Sequence, residues 1–220
     1  MTKPWTAVIP SDSVENLEPC LQALVKAHPH CDEGDIVVVS RKIKEPFVTP
    51  KFTLVRDPVE AFNFARRANF GILKAGKKDV VLMGDDVEVV TPNAFDLMME
   101  EASFRILSAS VRGRVGPWWQ REGQNSAEVP FVSFICVYLP RPVLRIIGEF
   151  DEGFPGYGYE DTDYCVRAKR KGLSVGVCGR AVVEHGVRIK SSFMEAFKAE
   201  LPGMEDAARR AFLQKWREGV

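Results

Sequence analysis

The sequence predicts an α/β domain on a mixed, mostly parallel sheet with helices on both faces. Three observations carry this. The runs at 36–39 and 79–83 are apolar without polar alternation, as in strands covered on both sides. Helix-start and helix-stop signals lie between such runs, so residues 1–90 read β-α-β-β-α-β. The composition, 45% hydrophobic and 27% charged over 220 residues, suits one ordinary globular domain and excludes disordered, collagen-like and disulfide-scaffold chains.

The elements follow in order. Residues 5–9 form a first short strand. Asp12 with Glu15 reads as a capping box for a helix carrying Val14, Leu17, Leu21, Leu24 and Val25 at helical spacing. Strands follow at 36–39 and 52–55. Asp57, Pro58 and Glu60 then give an N-cap, a first-turn proline and an N3 acid, which predicts a helix from there to about Ala75, stopped by Gly76. After the strand at 79–83, Thr91-Pro92 opens a helix reaching about Ala102. The second half reads as strands at 106–115 and 129–139, helices at 141–148 and 160–171, the latter closed by Gly172, and strands at 174–178 and 181–184. The domain boundaries are 1–190 for the main domain and 191–220 for a helical tail that packs on it or serves association, including a homo-oligomer.

Several classes fall away. Thirty basic and thirty acidic side chains cancel, so no global field draws the chain to nucleic acid or anionic membrane. No apolar run approaches the ~20 residues that span a bilayer, and the start Met1-Thr2-Lys3-Pro4-Trp5 has no signal-peptide character; the expected location is cytoplasmic. The five cysteines, Cys20, Cys31, Cys136, Cys165 and Cys178, form no CxxC pair and read as reduced thiols. His28, His30 and Cys31 cluster, but no second ligand pair at a zinc spacing accompanies them. The string from Gly71 to Lys78 fits GxxxxGK, yet it lacks the final Ser or Thr and ends a helix, the reverse of a phosphate-cradling context.

Three places carry chemistry. Asp85 and Asp86 directly follow a buried strand, where ligands of open α/β sheets bind; adjacent like charges there invite a hard divalent cation. A stretch rich in glycine and aromatics, with Phe154, Tyr157 and Tyr159, leads into Glu160, Asp161 and Asp163 at a helix start. Acids there also simply complement the helix dipole. His185 closes a strand and is followed by Arg188 and Lys190, which suit an anionic ligand.

Taken together, Pro10-Ser11, Asp85-Asp86, Glu160-Asp161 and His185-Gly186, in that order, resemble the family 2 glycosyltransferases of the GT-A fold. So do the helix segment from Phe62 to Ile72 and the segment running from Phe150-Asp151-Glu152 through Gly156-Tyr157-Gly158-Tyr159-Glu160-Asp161-Thr162-Asp163. The resemblance covers residues 5–190. It implies a GT-A, Rossmann-like nucleotide-diphospho-sugar transferase fold and an inverting reaction. Asp86 then matches the last acid of the DxD-type motif that holds Mn2+ or Mg2+ on the donor diphosphate, with Asp85 near ribose or metal. His185 matches the metal-side histidine and Asp161 the catalytic base, with Glu160 beside it. Pro10 and Ser11 line the nucleotide, and Asn63 and Arg66, one turn apart, are expected to reach base or diphosphate.

Two positions depart from the family pattern. Ser40 stands where the second strand normally ends in an acid that meets uracil or ribose, and Gly84 replaces the first acid of the DxD motif. Both bear on the donor nucleotide; UDP-sugar is the default, ahead of GDP- or dTDP-sugar. The expected activity is metal-dependent transfer from a nucleotide-sugar to an acceptor hydroxyl. The alternatives are a degenerate nucleotide- or sugar-binding module and a sugar-nucleotide nucleotidyltransferase; the latter wants a Gly-rich phosphate loop, which Pro10-Ser11-Asp12-Ser13 does not supply. The acceptor side is expected at Trp118, Trp119, Tyr157 and Tyr159, for a glycan, a small molecule or, with Arg112, Arg114 and Arg121, a phosphorylated acceptor or a nucleic acid. Asp161 is expected to be ionised at neutral pH.

Overall fold

The computed structural model describes residues 3–44, 51–103, 105–113, 116–155, 158–186 and 198–217. Among them, eight strands form one sheet: β1 (Trp5–Pro10), β2 (Ile36–Ser40), β3 (Thr53–Arg56), β4 (Asp79–Met83), β5 (Val87–Val89), β6 (Arg105–Arg112), β7 (Cys136–Leu139) and β8 (Ser174–His185). Their order is β3-β2-β1-β4-β7-β6-β8-β5. The helices are α1 (Val14–Ala27), α2 (Phe64–Ala75), α3 (Ala94–Ala102), α4 (Arg141–Ile147), α5 (Glu160–Arg170) and α6 (Leu201–Arg217). No described helix is long and apolar enough to cross a membrane.

The predicted buried strands are buried because helices cover both sheet faces. Trp5, Ala7, Ile9, Val38, Val81 and Met83 point into the core layer shared with α1 and α3. Val8, Val37, Val39, Val80 and Leu82 point into the layer shared with α2, α4 and α5. Gly71 lets α2 lie close on the sheet: a Cβ there would come within 2.1 Å of Val8 Cγ1. Gly76, at φ 68°, ends α2 where the sequence places the stop.

Strand directions decide where the functional ends meet. β1, β2, β3 and β4 run parallel; β7 is antiparallel to β4 and β6, and β8 runs parallel to β6. So β8 points the same way as β1 and β4, and His185 emerges at the edge where Pro10 and Met83 end. β5, directly after Asp86, then pairs antiparallel with β8, setting Val87 opposite His185.

Several local expectations are corrected. The α1 cap is Ser13, whose hydroxyl accepts from Asn16 N–H, rather than Asp12. α2 begins six residues after Pro58, capped by Asn63; Asp57 instead receives Arg66 and Arg67. Thr91 accepts from Val182 N–H with its hydroxyl, and Asn93 leads α3. Residues 129–135 are outside the sheet, although Val129 N–H bonds Val175 C=O. The two strands expected at 174–184 are one, with a register shift where Ala109 pairs with Cys178 and Ser110 with Val182. His28 packs in the core at 4.9 Å from the Trp5 ring and 4.4 Å from Phe95, and all five cysteines are free.

Candidate active site

A cleft of about 800 Å³ opens at the carboxyl ends of β1, β2 and β4. One wall holds Pro10, Ser11, Asp12, Arg41 and Lys42. Gly84, Asp85, Asp86 and His185 form its centre, and Tyr159, Glu160 and Asp161 face in from the start of α5.

The central acids differ in surroundings. Asp85 accepts the Ser11 hydroxyl at 2.7 Å. Burial pushes its carboxyl up to about 6; the Ser11 bond opposes this and the Asp86 charge adds to it. Asp86 Oδ2 lies 3.3 Å from His185 Nε2, while His185 Nδ1 has no hydrogen-bond partner among the described residues. Gly186 N–H bonds Asp86 C=O at 3.1 Å, which holds the two strand ends together. A Cβ at Gly84 would stand 2.7 Å from Asp86 Oδ1, so a side chain there needs that carboxylate to turn. Among the described residues, no group of three or more His, Cys, Asp or Glu is gathered as a metal site.

Glu160 and Asp161 open α5 after Tyr159, which holds a left-handed backbone at φ 68° without a side-chain cap. Asp161 Oδ1 accepts from Thr162 N–H at 2.6 Å and from the Thr162 hydroxyl at 3.2 Å. The loop at Phe134 also donates to Asp161. That loop is itself pinned by buried Gln120, whose side chain bonds Ser133 at both its N–H and its C=O. The mouth of the cleft leaves both carboxyls partly exposed, but protein surrounds them elsewhere. Burial raises both, and the Asp161 charge raises Glu160 further. The expected ionisation of Asp161 rests on the helix dipole; burial works against the dipole and the bonds from Thr162 and raises the carboxyl above the usual aspartate range.

Other expected site residues lie apart. Ser40 donates its hydroxyl to Asp12 at 2.9 Å. Asn63 caps α2 and donates to Glu152 C=O. Arg66 is engaged by Asp57 and by Ala61 C=O, so neighbours on the cleft come instead from Phe62 and Phe64. Trp118 is 64% exposed, outside the cleft lining. Trp119 acts from behind: it donates to Phe131 C=O and meets the Phe131 ring at 5.3 Å, and Phe131 lines the cleft. Arg112 is held by Glu122 and Glu184. Tyr157, Arg114, Arg188 and Lys190 lie outside the described residues.

The sequence reading missed Asp12, Phe62, Phe131 and three residues of α6, Glu205, Asp206 and Arg209, all in the cleft wall. Phe212 and Trp216, four residues apart, signal that α6 has a packing face, but nothing local says what it packs on.

No family model matches the chain, and no curated protein matches it. Solved structures do. A GalNAc-T7 crystallised with UDP, GalNAc and Mn2+ superposes with a TM-score of 0.68 at 12% identity, over 82% of this chain and 43% of its own. S. aureus TarS 1–349 gives 0.64 at 14%, over 82% and 60%. The catalytic domain of Drosophila β1,4-galactosyltransferase 7, in complex with xylobiose, gives 0.53 at 18%, over 79% and 63%. This chain thus spans less than two thirds of the length of each. With its eight-stranded mixed sheet, its flanking helices and its cleft at the strand ends, the chain has the glycosyltransferase fold of the GT-A type.

Proposed function

We propose that the chain is a metal-dependent, inverting glycosyltransferase that moves a sugar from a nucleotide-sugar, UDP-sugar by default, to an acceptor hydroxyl. One observation carries the reading: a single cleft gathers Asp85, Asp86 and His185 from two strand ends with Glu160 and Asp161 from the start of α5. UDP and Mn2+ accompany the GalNAc-T7 structure of the same fold.

The donor chemistry suits the metal. Two donors that bond one hard cation at right angles, at 2.0–2.2 Å, stand about 3 Å apart; Asp86 Oδ2 and His185 Nε2 stand 3.3 Å apart. Two protein donors, with the rest from phosphate oxygens and water, are the usual holding for Mg2+-type ions. Asp86 and His185 would hold the ion, which when bound stabilises negative charge on the departing diphosphate.

The chain's own residues do the rest. Ser11 orients Asp85 by its hydroxyl. Asp161, steadied by Thr162 and the Phe134 loop, takes the proton of the acceptor hydroxyl as that oxygen attacks the anomeric carbon. Its raised carboxyl is a stronger base than an ordinary aspartate, which brings it closer to the working pH. Glu160 sits next to it and keeps the pair from losing both protons at once.

The reading is tested by calorimetric affinity for UDP with manganese or with chelator, on wild type, Asp86→Ala and His185→Ala. Affinity should depend on manganese in the wild type and lose that dependence in both variants; equal affinity throughout removes the metal. Asp161→Asn should bind UDP as wild type does while slowing donor hydrolysis about 10²–10⁴-fold.

A further inference from the structure

Ser133, Phe134 and Ile135 lie just before β7, between the two halves of the cleft, and all three line it. On one side, Ile135 C=O accepts from Gly84 N–H at 3.0 Å, one residue before Asp85. On the other, Phe134 N–H donates to Asp161, and the Phe134 ring meets Phe150 at 5.6 Å and Tyr164 of α5 at 6.0 Å. The main chain of Ser133 is gripped by a side chain. Gln120 Oε1 accepts from Ser133 N–H at 2.9 Å, and Gln120 Nε2 donates to Ser133 C=O at 2.8 Å. A hydrogen-bonded pair in an antiparallel ladder exchanges the same two bonds, so the amide stands in for a neighbouring strand over one residue. Nε2 has a second acceptor, the Ser108 hydroxyl of β6, at 2.7 Å, and that hydroxyl donates on to Ala109 C=O at 2.8 Å. Three of the amide's four bonding sites are thus used. Gln120 and Ser108 are both fully buried.

We propose that Gln120 is a positioning residue for Asp161: its amide ties the 133–135 segment to the sheet through Ser108, and so sets where Phe134 N–H meets the carboxylate. The effect on the carboxylate stands on this geometry; the effect on rate rests on the glycosyltransferase reading. Gln120 is outside the cleft lining, so it acts through the segment and not on the reacting atoms. The site asks for one acceptor and two donors on a single planar group, which an amide supplies. A carboxylate of the same shape accepts from Ser133 N–H but turns an acceptor toward Ser133 C=O. An apolar side chain leaves both main-chain groups of Ser133 without these bonds, and a buried polar group so stripped favours moving the segment. The donor half of the cleft is held separately, by Gly186 N–H on Asp86 C=O and by Ser11 on Asp85.

The test is a double-mutant cycle on the full chain, with Gln120→Met, Asp161→Asn and both together. It is read by manganese-dependent hydrolysis of UDP-glucose, UDP-galactose, UDP-GlcNAc and UDP-GalNAc. Thermal melting checks folding, and UDP affinity is measured in parallel. Gln120→Met should slow hydrolysis at least tenfold when Asp161 is present and less than threefold in the Asp161→Asn background, with UDP affinity within threefold of wild type. Gln120→Glu, which keeps the shape and the bond from Ser133 N–H, should show the same pattern, and it carries the cycle should the apolar variant not fold. The carboxyl itself is followed by carbon NMR on the aspartate-labelled, nucleotide-free chain, its signal assigned by its loss in Asp161→Asn. Loss of the Phe134 bond disfavours the charged form, so the Asp161 titration should move to higher pH in the Gln120 variants, with Glu160 beside it unchanged. The proposal is overturned by equal slowing in both backgrounds, by a wild-type rate in the Gln120 variants, by UDP affinity falling as far as the rate, or by an unmoved Asp161 titration. A wild-type chain that neither binds UDP nor hydrolyses any of these donors speaks against the glycosyltransferase reading, and the titration then decides the role of Gln120 by itself.

Discussion

On the β1–β2 side of the cleft, Arg67 lies fully buried, its guanidinium 2.8 Å from Asp12 and 2.9 Å from Asp57. Arg66 adds a second cation to Asp57. Burial alone would raise the Asp12 carboxyl, but the Arg67 bond and charge, with backbone N–H groups of Arg41 and Lys42, hold it down at about 2. On the α5 side the acids are treated in the opposite way. Among the described residues, no ion pair holds Glu160 or Asp161, and burial raises both. The contrast separates two uses of a carboxylate. Where a cation and backbone donors saturate it, it shapes a loop and is unavailable for chemistry. Where it is crowded and unpaired, its proton affinity rises and it can act as a base.

The largest expected effect comes from breaking the paired side. Arg67→Met leaves buried Asp57 with Arg66 alone and partly buried Asp12 without its cation, and should cost about 3 kcal/mol in denaturant unfolding. A loss under about 1 kcal/mol would mean the network does not hold the β2 end.

The pH dependence of stability separates the sides by sign. The raised acids bind more protons folded than unfolded, so their contribution falls as pH rises above about 4 toward their raised values. Asp12 is depressed, so its contribution is present above about 4 and lost as pH falls toward about 2. Glu160→Gln should therefore stabilise the ligand-free chain by about 1–2 kcal/mol at pH 8 and hardly at all at pH 4. Asp12→Asn should destabilise it at pH 8. Slopes of the same sign in both variants would erase the distinction.

A smaller effect sharpens the boundary between the two sides. Gly84→Ala drives its Cβ against Asp86 Oδ1, so the carboxylate has to swing away from His185. UDP affinity in manganese should fall about tenfold, near 1.4 kcal/mol, with the melting temperature little changed. Unchanged affinity would mean that the Asp86 position does not matter to the donor. The smallest effect is expected at the α6 anchor. Lys215→Ala removes a half-exposed ion pair to Asp151 and Asp163, and should cost about 1 kcal/mol, most of it from leaving buried Asp163 with fewer partners. Lys215→Arg should restore most of it, and manganese-dependent UDP affinity should not move in either variant.

What the sequence determined by itself is the part built from local pattern. β1, β2 and β4 are legible because helices cover both faces of the sheet, so each strand is apolar on both sides, and Gly76 stops α2 because only glycine suits that backbone. The Asp85-Asp86 pair is legible because strand carboxyl ends are where such sheets bind ligands. Helix starts were less so. Asp57 and Thr91 have good cap chemistry, but a cap oxygen can serve only so many donors: Arg66 and Arg67, nine and ten residues on, claim Asp57, and Val182 N–H, far along the chain, claims Thr91. Tertiary structure alone brought Asp86 to His185, because that needs β5 to pair with the far end of β8. It alone turned α6 into a wall of the cleft, because a charged helix carries no mark of which surface its Phe212 and Trp216 will meet. And it alone decided which acids are paired, since the charge on a side chain is written in the sequence while its distance to a cation is not.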